Sequence, residues 1–157
     1  MNTARWLTDE EQSLWRMLLA ANRKVDRAIE ESLNADDLTT PEFSVLVSLS
    51  EHPEQKMRLR ELCASLNWDR SRTSHQITRM ERRGLVEKQR CEGDGRGVLV
   101  ALTREGERRL QQAAPAHVGT VRSVVFEKMS EEEADALRAF SKKVLGPDLQ
   151  DLHIPGA

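Results

Sequence analysis

From Arg60 to Thr103 the chain reads RELCASLNWDRSRTSHQITRMERRGLVEKQRCEGDGRGVLVALT, and its apolar period shifts from helical to strand-like along the way. Few arrangements accommodate that order: a short helix, a tight turn, a second helix, then a two-stranded ribbon with a glycine-rich tip. Leu59, Leu62, Cys63 and Leu66 recur at helical spacing, which predicts a helix over Arg58 to Leu66 with one buried face. Asn67 tolerates the left-handed backbone that closes a helix. Trp68 is placed to plug the angle between the two helices. The Asp69 carboxylate caps the second helix by accepting its free N–H groups. Two core helices of an all-α domain would show the same pattern, so the outward face of the second helix has to discriminate.

Over Asp69 to Arg83, the small or apolar positions Thr73, Ile77, Met80 and Gly84 fall on one narrow stripe. The opposite face carries Ser71, His75, Thr78, Arg79 and Arg82, with Arg70 and Arg72 in the first turn. No acidic residue lies between Asp69 and Glu81, whereas a solvated surface helix ordinarily mixes both signs. Arg, Ser and His side chains hydrogen-bond base edges or phosphates in a major groove, and the free N–H groups of a first turn attract phosphate as well. Arg70, Ser71, Arg72, Ser74, His75 and Arg79 are therefore the residues expected to contact a DNA duplex.

Gly84 is expected to end that helix. Leu85 to Arg90 (LVEKQR) and Val98 to Leu102 (VLVAL) have strand composition, joined by Cys91-Glu92-Gly93-Asp94-Gly95-Arg96-Gly97. The glycines permit positive φ and a mobile tip. Asp94 and Arg96 sit at that tip, where a long-armed cation reaches a minor groove and Asp94 orients it. Gly-x-Gly-x-Gly also suggests a phosphate-binding loop, but no helix N-terminus follows the glycines, as a dinucleotide fingerprint requires.

Four motifs carry a resemblance. They are Leu66-Asn67-Trp68-Asp69-Arg70-Ser71-Arg72, Arg79-Met80-Glu81-Arg82-Arg83-Gly84-Leu85-Val86, Asp94-Gly95-Arg96, and Leu102-Thr103-Arg104-Glu105-Gly106. With them the chain resembles the winged-helix regulators of the MarR family (multiple antibiotic resistance regulators), with Met80 where leucine is usual. The resemblance implies a mainly α fold with a small β wing, in which the N- and C-terminal helices of two chains interdigitate. It further implies a transcriptional regulator, most often a repressor, and an effector held between the long helices and the DNA-binding lobe. By residue type, Trp15, Arg16, His117 and Arg122 are the candidates to line that effector site.

Net charge is −2, which by itself argues against a nucleic-acid binder, but the distribution reverses the conclusion. Between Arg58 and Arg96 stand ten Lys or Arg against six Asp or Glu; the rest of the chain has fourteen against twenty. A basic module on an acidic body focuses positive potential on one face. The opening MNTARWLTDEE has no apolar run, so no signal peptide is expected. The longest uncharged stretch, Leu110 to Val121, contains Pro115 and Gly119 and is too short to span a membrane. Two cysteines point to a reducing compartment, and a cytoplasmic location follows. Cys63, on an apolar helix face, is expected in the core, and Cys91, beside the wing, at the surface. His52, His75, His117 and His153 share no ligand spacing with each other or with the cysteines, so neither metal nor other cofactor is expected.

The flanks divide the chain into an N-terminal dimerisation helix (1–34), a DNA-binding lobe (35–103) and C-terminal dimerisation helices with a tail (104–157). Thr8 and Glu11 form a capping box that opens a helix running to about Leu33, near 40 Å long at about 1.5 Å per residue. Trp15, Met17 and Ile29 widen its apolar stripe. Thr40 is expected to cap the second helix, with Pro41 at its first position and His52-Pro53 at its end. Thr103 caps a further long helix, which Pro115 should kink and whose apolar positions continue to Met129. Ser130 and Glu133 form a second capping box, and Gly146-Pro147 stops the last helix, leaving Leu149, Leu152 and Ile154 in a short tail. The predicted order is α-α-α-α-β-β-α-α.

Long amphipathic helices leave more apolar surface than one small core covers, so a two-fold homodimer is expected. Its recognition helices would lie about 34 Å apart on a pseudo-palindromic double-stranded operator. A lipophilic or anionic effector would bias that spacing. Two other readings stay open: a winged helix used only for protein contact, and a thiol-responsive regulator using Cys63 or Cys91. An enzyme is not expected, because no nucleophile–base or paired-carboxylate arrangement stands on a coherent scaffold.

Overall fold

The computed structural model describes residues 4–91, 93 and 97–146. Its elements are α1 (Asp9–Ala35), α2 (Thr40–Glu51), β1 (Lys56–Arg58), α3 (Leu59–Leu66), α4 (Arg70–Arg82), β2 (Val86–Arg90), β3 (Val98–Leu102), α5 (Arg104–Val124), a 3₁₀ turn (Phe126–Lys128) and α6 (Glu131–Leu145). The fold is mainly helical with one small antiparallel sheet, as the sequence predicts. That sheet has three strands in the order β1-β3-β2. Val86 pairs with Leu102 and Arg90 with Val98, while Lys56 to Arg58 pair with Ala101 to Leu99. The strand β1 is an addition to the predicted order: a Lys-Met-Arg triplet has no pattern of its own and becomes a strand because β3 offers it an edge.

The termini of the helices follow side-chain chemistry. Thr8 and Glu11 make the predicted reciprocal capping box, as do Ser130 and Glu133. Asn67 closes α3 at φ 52°, ψ 43°, and Asp69 accepts from the Arg72 N–H at 2.8 Å. Helix α2 corrects the expectation: its cap is Thr39, whose hydroxyl accepts from Glu42 N–H while the Glu42 carboxylate takes the Thr39 N–H. Thr40 is already helical, and Pro41 sits one position further in. The last predicted apolar position of α5 is also corrected. The helix ends at Val124, and Met129 follows the 3₁₀ turn.

The core lies in the central lobe. Leu33, Leu38, Val45, Leu46, Leu49, Leu62, Ile77, Met80 and Val100 are fully or almost fully buried, with Phe43 and Ala113 at the edges of the same cluster. The helices α1 and α5 pack on one another and reach this core through buried Leu33 and Ala113, with Ile29 and Leu110 packed against it. Two junctions fix the lobe to the long helices. The first is the Gly84–Leu85 turn, where Gly84 has φ +73°. Thr103 donates its hydroxyl to the Gly84 carbonyl at 2.6 Å and accepts from Gly106 N–H at 3.0 Å. A Cβ on Gly106 would stand 2.1 Å from the Leu85 carbonyl oxygen, so only glycine lets α5 dock there.

The second junction is ionic. Arg83, just past the end of α4, donates to both Glu42 carboxylate oxygens at 2.7 Å and to the Asp37 carbonyl and carboxylate at 2.8 and 2.9 Å. Arg109 of α5 reaches the same Asp37 carboxylate at 3.0 Å and its carbonyl at 2.8 Å. Asp37 holds a left-handed backbone, φ 57°, which turns both acceptors toward the arginines. The hydrogen bond from Arg109, and after it the Arg83 charge, lower the Asp37 pKa below its ordinary value.

Candidate nucleic-acid interface

Helix α4 buries Thr73, Ile77 and Met80 as predicted, and also Gln76. Every residue predicted to face a duplex from this helix is exposed: Arg70, Ser71, Arg72, Ser74, His75 and Arg79. They occupy the arc opposite the buried stripe, with Arg70 and Arg72 at its edges. The first turn contains no acidic side chain, so its N–H groups and the two arginines give one sign of potential.

Several of these side chains are held in place. Trp68 fills the inter-helix angle, and the Arg72 guanidinium lies over its ring at 4.3 Å. Arg79 donates to the Gln76 side-chain oxygen at 2.7 Å. The wing is tied to the helix by Lys88 of β2, whose ammonium donates to Thr78 Oγ1 at 2.8 Å and whose backbone N–H donates to Glu81 at 2.8 Å. Neither Gln76 nor Lys88 was singled out by the sequence. Lys88 was readable in principle, because it shares a strand face with buried Val86 and so points at α4. The wing-tip pair Asp94 and Arg96 lies outside the described residues, as do Leu149, Leu152 and Ile154 of the tail.

The four candidate effector residues separate into two places. His117 and Arg122 line one cavity of about 400 Å³ together with Val118, Val121 and Phe126. Trp15 and Arg16 line another, of about 610 Å³, near Trp6, Leu7 and Leu19. His117 packs tilted against Phe43, with ring centroids 4.4 Å apart, its Nδ1 is buried without a partner, and burial lowers its pKa. Both cysteines depart from their expected places. Cys91 is buried, with its sulfur against Gly97, while Cys63 is half-buried and lines a cavity. The α3 stripe puts Leu62, not Cys63, at its centre, and Cys91 turns inward just past the end of β2. Among the described residues no group of three or more His, Cys, Asp or Glu comes together to hold a metal, and no helix is long and apolar enough to cross a membrane.

A buried helix-turn-helix with an exposed cationic face, a ribbon braced against it and long helices on both flanks define a winged helix-turn-helix protein. The MarR family model matches residues 38–98, from the α1–α2 turn to the start of β3. AbsC, a MarR family transcriptional regulator from Streptomyces coelicolor, is 37% identical with a TM-score of 0.85; 94% of this chain and 97% of that one are covered. A second MarR family regulator from the same organism, solved in complex with DNA, is 33% identical with a TM-score of 0.87, covering 99% and 98%. The organic hydroperoxide resistance transcriptional regulator of Bacillus subtilis is 28% identical over 129 residues, 82% of this chain and 84% of that protein. The chain belongs to the MarR family of transcriptional regulators.

Proposed function

We propose that the protein is a sequence-specific double-stranded DNA-binding regulator that acts as a two-fold dimer, represses transcription and is released by a small ligand. The observation that carries this reading is the outward face of α4 up to Met80, a run without an acidic residue, where Arg70, Arg72 and Arg79 stand exposed on a helix braced from both ends. The Streptomyces relative crystallised with DNA supports it. Arg70, Ser71, Arg72, Ser74, His75 and Arg79 enter a major groove, and Arg96, steadied by Asp94, enters the neighbouring minor groove. The place of action is the cytoplasm.

Dimerisation is supported by unspent apolar surface. Trp6, Leu14, Trp15 and Met17 at the start of the chain and Leu137, Phe140 and Val144 on α6 are exposed large hydrophobics, and α6 buries no residue against its own chain. Exposed apolar side chains gathered on long helices in this way are covered by a second copy in a stable molecule. The effector is assigned to the cavity of His117 and Arg122. There a neutral imidazole accepts a hydrogen bond, a guanidinium pairs with an anionic group, and Val121 and Phe126 hold an apolar body. Trp15 and Arg16 fall to the dimer seam instead.

Binding to a fluorescent duplex, titrated at several salt concentrations, tests the core of this proposal. Affinity should fall linearly on a log–log plot, with a slope of about −0.9 per phosphate neutralised. Absent or salt-independent binding would leave the protein-contact reading in its place.

A further inference from the structure

A cavity of about 290 Å³ opens between the first turn of α3, the first turn of α4 and the root of the wing. Arg58 and Arg60 line it from the α3 side and Arg70 from α4, with Cys63 between them and Gly97 and Val98 on the β3 side. None of the three arginines has an ion-pair partner among the described residues, whereas Arg83, Arg108, Arg109 and Arg138 are all paired. The two nearest carboxylates in sequence are already engaged: Glu61 takes the Arg58 backbone N–H, and Asp69 takes that of Arg72. Three cationic side chains line this one hollow, and an anion seated there relieves their mutual repulsion. The N-terminus of α4, a helix of 13 residues, adds its dipole to the same spot.

We propose that this hollow seats one backbone phosphate of the bound duplex. Arg58 and Arg60 then anchor DNA from outside both the recognition helix and the wing. The proposal rests on the DNA-binding function proposed above and extends it to residues that the α4 pattern does not contain. Guanidinium forks match the oxygens of a phosphate, and the seat lies between the two elements assigned to the major and minor grooves. Such a contact sets the register of the protein on the duplex and carries no sequence information.

The test compares wild type with the double variants Arg58→Gln/Arg60→Gln and Arg58→Lys/Arg60→Lys. Each is titrated with an operator duplex and a random duplex over a salt series, and with inorganic phosphate as competitor at constant ionic strength. The glutamine pair should bind both duplexes about ten-fold more weakly, with a salt slope shallower by about one, and the lysine pair should recover part of the loss. Its melting temperature should equal that of wild type, since neither arginine makes an ion pair within the fold. Unchanged affinity and slope in the glutamine pair, beside salt-dependent binding by wild type, would overturn the seat and leave the DNA function intact. Wild type that binds no duplex would overturn both. Saturation of wild type, but not of the glutamine pair, by inorganic phosphate at sub-millimolar level with DNA affinity unaltered would reassign the hollow to a free anion and overturn the DNA assignment.

Discussion

Arg79 owes its placement to Gln76, which is only 5% exposed yet presents its side-chain oxygen at 2.7 Å. A long cation steadied in this way loses less rotamer freedom when it meets DNA. Arg79→Ala should therefore cost about 1–3 kcal/mol in operator affinity with little change in thermal stability. Equal affinity in a direct titration would remove this residue from the contact surface. His117 makes a different prediction. Burial lowers its pKa below 6.5, so the folded chain resists a proton that the unfolded chain accepts. Its contribution to stability is then full above pH 6.5 and is lost as pH falls through the window between 6.5 and the folded value. His117→Phe, which keeps the ring against Phe43, should flatten the acid limb of the melting temperature over that window. An identical acid limb in the variant would show that the imidazole does not titrate as its burial requires.

At the scale of elements, α4 is held at one end by Asp69 and at the other by Arg83. Glu42 is 4% exposed, so deleting Arg83 strands a buried carboxylate that also caps α2. Arg83→Met should destabilise the fold by about 3 kcal/mol in urea unfolding. A loss near zero would mean that the clasp joins α4 to α2 and, through Asp37 and Arg109, to α5 without stabilising them. Much of this framework was legible in the sequence. Thr8, Asn67, Asp69, Thr103 and Ser130 announce their helix boundaries because capping chemistry is local. Thr39-x-x-Glu42 spelled a capping box as well, and Pro41 drew attention to the wrong threonine. The strand β1 and the inward turn of Cys91 were not legible, since each depends on a partner the fold supplies: the edge of β3 and the close approach of Gly97. The exposed face of α4 was fully readable, because a run without acidic residues needs no tertiary context to be noticed. The Arg58–Arg60–Arg70 hollow was hidden, since only the fold brings those two helix starts beside the wing root.

On the scale of the whole molecule, one compact lobe carries the cationic face, and the long helices carry exposed apolar side chains that the lobe does not cover. If the apolar helices of two copies pair as proposed, they hold two cationic lobes at one separation, and that separation selects the DNA. The protein's preferred duplex, selected from a random pool at near-physiological salt and sequenced, tests this directly. An inverted repeat is expected, its half-sites centred about one helical turn apart, roughly 10 base pairs. An enriched single half-site without its inverted copy, or no enrichment at all, would contradict it.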